Sequence, residues 1–317
     1  MLVKSNHLLS FSSELFFTIQ ISLMKTTLKQ TKSEELNVAF IQNMTNIFFT
    51  RLVDSYYEFV QIFKDHRSTF TKFIIWMTGE IERVVSYLHN HQYIGTRSFI
   101  FSIKNVEILL NRAEEFSSKL IDVKFIFEEQ LEPILIQIIR AQKDQIIDTL
   151  RQRHRDEKWT PITFQTHERL DQLFYEFHEL GVDSQEFLQP FVCIDDEQDS
   201  VQVMLAPSTL QFSKAYLTLA RSLFKIHYLA INHPIVEALI ELIKLHMKYF
   251  ERTLQKNNND DDLNEFIMKN VDFSLNYLFR HVDELYRSKL GNEAKYFKKI
   301  YKKFDQLKEM TECKTHF

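Results

Sequence analysis

Four glycines in 317 residues constrain this chain more than any other feature. They are Gly79, Gly95, Gly181 and Gly291, and even the closest pair, Gly79 and Gly95, is far apart. A Walker phosphate loop needs closely spaced glycines, and so does a dinucleotide fingerprint. A nucleophile elbow needs Gly-x-Ser-x-Gly. None of these can be written with the glycines present. Backbone cradles for phosphate need residues that tolerate positive φ, and these are scarce here. Prolines number only 5. A chain so poor in breakers favours long uninterrupted helices, and 29 phenylalanines make their core aromatic.

Charge and cysteine usage narrow the class further. Lys and Arg total 39 against 43 Asp and Glu, a formal net charge of −4. That gives no general attraction to nucleic acid. Cys193 and Cys313 lie far apart in sequence, which argues against a secreted disulfide scaffold and for a reducing cytosol. Between Lys4 and Lys25, apolar residues from Leu8 to Met24 are interrupted by Glu14 and other polar groups. This suits an amphipathic helix better than a membrane span or signal peptide.

Apolar residues recur at three and four along most of the chain, the helical period. Leu36, Phe40, Met44 and Ile47 open one stripe; Phe73, Met77, Ile81, Val84 and Leu88 form the next. Lys72, Glu80, Glu82 and Arg83 are expected on its solvated face. Thr96 is the expected N-cap of the following helix. Asp122 opens a longer stretch, which Pro133 should kink or divide. Gly181 should stop a short helix begun near His167. Residues 190–206 lose the period and read as an irregular loop or small hairpin around the acidic run Asp195–Asp199. Pro234 is expected in the first turn of a late helix, and Asn257–Asp262 as a polar linker.

The expected architecture is all-α, an elongated rod of stacked antiparallel helical bundles. The expected parts are an extension over 1–14, a bundle over 15–160, an irregular connector with a short helix over 161–207, and a second bundle over 208–317.

No residue constellation points to catalysis, so no enzyme activity, cofactor or small-molecule substrate is expected. His89 and His91 are two apart on a helix and face different ways. His167-Glu168 and His178-Glu179 lack the second histidine of a zinc-protease motif, having Asp171 and Val182 there. Asp260–Asp262 resembles the start of a calcium loop, but Val271 stands where the bidentate carboxylate belongs. One surface feature stands out. Lys295, Lys298, Lys299, Lys302 and Lys303 flank the stripe Phe297–Ile300–Phe304–Leu307. Such a helix either packs in a bundle with a basic outer face or lies on an anionic membrane. The five lysines are therefore the candidate partner- or membrane-binding residues.

Several segments together resemble a known family. They are FTKFIIWMTGEIERVV (70–85), LIDVKFIFEEQLEPILIQII (120–139), RQRHRDEKW (151–159) and FIMKNVDF (266–273). They are similar to the C-terminal helical domain of the exocyst component 8 family, across residues 15 to 310 or so. Trp76 with Glu80 and Glu82, and the basic stretch closing at Trp159, carry the resemblance best. The resemblance implies a cullin-repeat-like, tethering-complex-type fold. It also implies a non-enzymatic scaffold that docks secretory vesicles at the plasma membrane in exocytosis. The partners it implies are the other exocyst subunits, with anionic lipid as the alternative through the lysines above. The place it implies is cytoplasmic, peripheral at the plasma membrane and vesicles. Family members carry an upstream coiled segment and a pleckstrin-homology domain that binds a Ral-type GTPase in animals. Neither is written in this sequence, so binding of that GTPase is not expected of it.

Overall fold

The structure is a computed structural model and describes residues 34–63, 67–195, 200–256, 260–290, 297, 300 and 301. The chain divides into two compact units, with the division between Leu131 and Glu132. Both are helical bundles, as the periodicity predicts.

The first unit holds α1 (Glu34–Phe63), α2 (Arg67–Asn90), α3 (Phe99–Lys119) and the start of α4 (Lys124–Asp156). Its core takes in Phe40, Met44, Phe73, Met77, Ile81, Val84 and Leu88 of the predicted stripes and adds residues outside them, Ile41, Leu109 and Phe127 among these. Val106 is buried with them. Phe127 stacks on Phe49 at 5.5 Å and meets Phe48 edge-on at 6.4 Å. Edge-to-face and offset pairs of this kind add to the area they bury.

The turn between α2 and α3 is closed by buried side chains of α3. Ser102 Oγ donates to the Gly95 carbonyl at 2.7 Å and accepts the Gly95 N–H at 3.0 Å. Asn105 Nδ2 donates to the Tyr93 carbonyl at 2.7 Å. The N-cap of α3 is Ser98 rather than Thr96. The helix starts only where Phe99 enters the core, so packing, not the first available hydroxyl, chose the boundary.

Two further expectations change in this part of the chain. Glu80 is buried and paired with Arg83 at 2.6 Å, so it does not share the solvated face of Glu82. Helix α4 is continuous through Pro133, so of the two expected effects of that proline the division of the helix does not occur. A lost backbone bond in a helix of 33 residues is outweighed by the rows of buried leucine and isoleucine on either side.

The second unit contains the rest of α4, then β1 (Ile162–Phe164), α5 (His167–Glu179), α6 (Ser184–Leu188) and a single 3-10 turn. After these come β2 (Val192–Asp195), β3 (Ser200–Val203), α7 (Pro207–Lys225), α8 (Leu229–Lys256), α9 (Asp261–Asp272) and α10 (Arg280–Leu290). Gly181 ends α5 with φ +78°, the left-handed turn that glycine tolerates. The region around 190–206 is a β2–β3 hairpin, but β1 also joins it. The three antiparallel strands lie in the order β1-β3-β2, with Ile162 and Val192 both opposite Val203. Val201 and Val203, two apart on β3, are both buried on one face.

Helix α8 begins at Leu229, so Pro234 lies inside it rather than in its first turn. Asp260 caps α9 by accepting the Leu263 N–H at 3.0 Å, so the predicted linker ends in a helix cap. From Asp261 to Leu290 the helix is unbroken, and its middle, Phe273–Phe279, is π-helical. There Phe273, Leu275, Leu278 and Phe279 are all buried. Phe273 meets Phe187 at 5.1 Å and Phe191 at 5.2 Å, both edge-on.

Candidate functional site

The five lysines singled out above, Lys295, Lys298, Lys299, Lys302 and Lys303, lie outside the described residues. Their apolar neighbours Phe297 and Ile300 are described, and both are buried. Phe297 packs on Phe279 at 5.1 Å and on Tyr286 at 5.4 Å. This part of the stripe belongs to the core of the second unit.

The other sequence candidates take structural roles. His89 Nδ1 is 3.1 Å from the Ile94 carbonyl and His91 Nδ1 is 2.9 Å from the Tyr87 carbonyl, so each serves a helix end. His167, Glu168, His178 and Glu179 are exposed. Among the described residues, no group of three His, Cys, Asp or Glu is placed to hold a metal ion. No described helix is long and apolar enough to cross a membrane.

Two aromatic clusters stand out, one running outward to the surface and one buried. In the first unit a row of aromatic rings joins α1 to α2 and runs outward. Tyr56 lies 6.3 Å from Phe73, Phe59 stacks on Phe73 at 4.6 Å, and Phe73 lies 5.5 Å from Trp76. Phe70 joins the row at 6.2 Å from Phe59, and Tyr57 at 5.7 Å from Tyr56. Tyr57 is 60% exposed and Phe70 41%, with Val60 and Ile62 exposed beside them in sequence. Exposed aromatics continuous with a packed core suit the anchoring of a partner helix. Trp76 itself is half-buried, and its indole N–H is buried without an acceptor. Trp76→Phe removes that orphan donor and keeps most of the packing. A chemical melt should place it within about 1 kcal/mol of the parent chain.

In the second unit the end of α4 meets α8 through a column of rings. His154 stacks on Tyr249 at 3.3 Å and lies 5.6 Å from His246. His246 is fully buried, 4.1 Å from Phe212 and 4.5 Å from Phe250. Trp159 lies 5.7 Å from Tyr249 and 5.8 Å from Phe250. The Tyr249 hydroxyl donates to the His154 carbonyl. Both ring nitrogens of His246, and Nε2 of His154, are buried with no hydrogen-bond partner. Burial pushes His154 down to about 3 and holds His246 well below the ordinary histidine value. His227 and His281 are also lowered by burial.

Next to this column Glu157 ties the turn to α7. Its carboxylate accepts the Trp159 N–H at 3.2 Å and the Ser208 N–H at 2.9 Å, satisfying the first turn of α7. An open cleft of about 480 Å³ follows, lined by Thr149, Gln152, Arg153, Lys158, Thr160 and Ser208, among others. It mixes both signs of charge and holds no nucleophile oriented by a base.

Sequence reasoning took His154 with Arg151, Arg153 and Arg155 as cations at a helix end, whereas burial keeps it neutral, and it passed over His246 and Asn270. A signal for His246 was present: Leu239, Ile243, His246 and Phe250 share one helical stripe, so a histidine stands where a hydrophobe belongs.

No family model matches the chain, and no solved structure gives a significant match. Among curated proteins it is similar to exocyst complex component 8 of several vertebrates. That of Gallus gallus is 21% identical over 282 residues, covering 89% of this chain and 39% of the relative. That of Xenopus laevis is 20% identical over 287 residues, covering 90% and 41%. That of Homo sapiens is 20% identical over 283 residues, covering 89% and 38%. The chain thus spans about two fifths of the length of these relatives.

Proposed function

We propose that this chain is a non-enzymatic subunit of an exocyst-type tethering complex, a helical scaffold that helps dock secretory vesicles at the plasma membrane. The observation that carries the reading is the similarity to exocyst complex component 8 along 89% of the chain. The predominantly helical bundles agree with it. The mechanism is mechanical: helix faces hold partners at set distances, and helix-on-helix contacts supply affinity. The partners are other exocyst subunits, and the place of action is the cytoplasmic side of the plasma membrane and of vesicles.

Protein partners are favoured over lipid for the segment around Phe297 and Ile300. A helix lying on a bilayer inserts its apolar face, whereas Phe297 and Ile300 are buried in protein. The test is affinity purification of the tagged chain from its native cells, with mass spectrometry of what accompanies it. Stoichiometric recovery of the other exocyst subunits is expected, and recovery of none overturns the reading. Flotation with anionic vesicles addresses the lipid alternative. Salt-sensitive binding, lost when Lys295, Lys298, Lys299, Lys302 and Lys303 are changed to glutamate, would favour a membrane-surface module.

A further inference from the structure

Protonating a histidine adds an N–H that must find an acceptor and a charge that must find water or a counter-charge. For His246, both of whose ring nitrogens are buried without a partner, the ring column of the second unit offers neither, and the same holds at Nε2 of the half-buried His154. His246 is enclosed by Phe212 of α7, Phe250 of its own helix and His154 of α4. The ionisable groups around the pair can be named element by element. From α8 comes Tyr249, stacked on His154. From α7 comes Tyr216, behind Phe212, with its hydroxyl bonded to the Leu239 carbonyl. From α4 come Arg153 and Arg155, exposed on either side of His154 in sequence. From the turn comes Glu157, whose carboxylate is bonded to Trp159 and Ser208. No described carboxylate is hydrogen-bonded to either imidazole, and a charge on His154 opposes one on His246.

The turn that follows His154 is also under strain. Trp159 has φ +55°, a left-handed backbone that a bulky residue adopts only when its surroundings hold it there. What holds it is the stacking on Tyr249, the tilted contact with Phe250 and the bond to Glu157.

We propose that the His154–His246 pair is an acid-sensitive latch: as the pH falls below the ordinary histidine range, the last turn of α4 and Trp159 lift away from α8. The direction follows from linkage. Both rings are neutral when closed and take up protons freely when open, near pH 6.5. The open form therefore binds more protons, and acid favours it. The loss begins near pH 6.5 and continues down to about 3, the closed-state value of His154. Between pH 7.5 and 5.5 each histidine shifts the opening equilibrium about tenfold, and the two together about a hundredfold.

Hydrogen exchange of the full chain tests this at the amides of residues 152–159, corrected for the intrinsic pH dependence of exchange. Opening of these amides should rise about a hundredfold from pH 7.5 to 5.5, while those of α3 in the first unit stay level. His154→Phe should reduce the rise to about tenfold and leave the stack on Tyr249 in place, and His246→Leu should do the same. In the Trp76→Phe background, Trp159 emission should shift to the red over the same pH range. Equal protection at both pH values overturns the latch. So does a hundredfold rise that persists in His154→Phe, which keeps the test decisive even if His246→Leu fails to fold.

Discussion

Phe127→Ala will lower the stability of the chain by about 3–5 kcal/mol, the largest effect expected of a single truncation in the first unit. The ring is fully buried and touches Phe49 and Phe48 of α1 from the start of α4. Phe49 in turn meets Phe116 of α3 at 5.9 Å. One alanine thus leaves a hole where three helices meet, and aromatic neighbours collapse into such a hole poorly. Phe127→Leu retains most of the volume and should cost about 1.5 kcal/mol or less. Urea melts followed by circular dichroism would measure both. A loss under about 1 kcal/mol for the alanine would show that the ring does not pack as described.

Asn270→Leu should cost about 1–3 kcal/mol although its shape is nearly preserved. Asn270 is fully buried on α9. Its Oδ1 accepts the Ala206 N–H at 2.7 Å and its Nδ2 donates to the Phe266 carbonyl at 2.8 Å. The first bond joins positions 64 apart in sequence and fixes the point where β3 turns into α7. Leucine strands the Ala206 N–H away from water, and an orphaned donor costs more than the bond was worth. Asn270→Asp separates donor from acceptor. It keeps the acceptor for Ala206 but turns the other oxygen, charged, toward the Phe266 carbonyl, so at neutral pH it should cost about 3–5 kcal/mol. Burial raises that carboxyl, so the unfolded chain loses its proton first as pH rises. The penalty relative to the parent should therefore shrink toward about pH 4, where the protonated group can donate to Phe266. A penalty independent of pH would contradict the assigned bonds.

Asn270 also shows what a resemblance carries. It lies in FIMKNVDF, one of the segments on which the family likeness rests. The likeness alone says nothing of why an asparagine stands among hydrophobes. The structure supplies the reason, a buried backbone group on a distant segment that needs an acceptor. The basic stretch ending at Trp159 is similar. As sequence it reads as cations at a helix C-terminus. In the fold, His154 and Trp159 leave that solvated end and stack against α8.

By itself the sequence determined most of the helices, much of their burial stripes and several of their ends. Those depend on neighbours three and four residues away and on local chemistry, as at Gly181 and Asp122. It also excluded phosphate loops and nucleophile elbows, because glycine alone makes those turns. The tertiary structure alone decided whatever depends on a distant partner. Three residues at 162–164 become a strand because β3 offers them an edge. Pro133 and Pro234 sit inside helices because packing on both sides outweighs the lost bond. Glu80 is buried, and His154 meets His246 from 92 positions away. Burial, orphaned polar atoms and the shifted protonation of those histidines are properties of the packed interior. They arise only when helices far apart in sequence exclude water from one another.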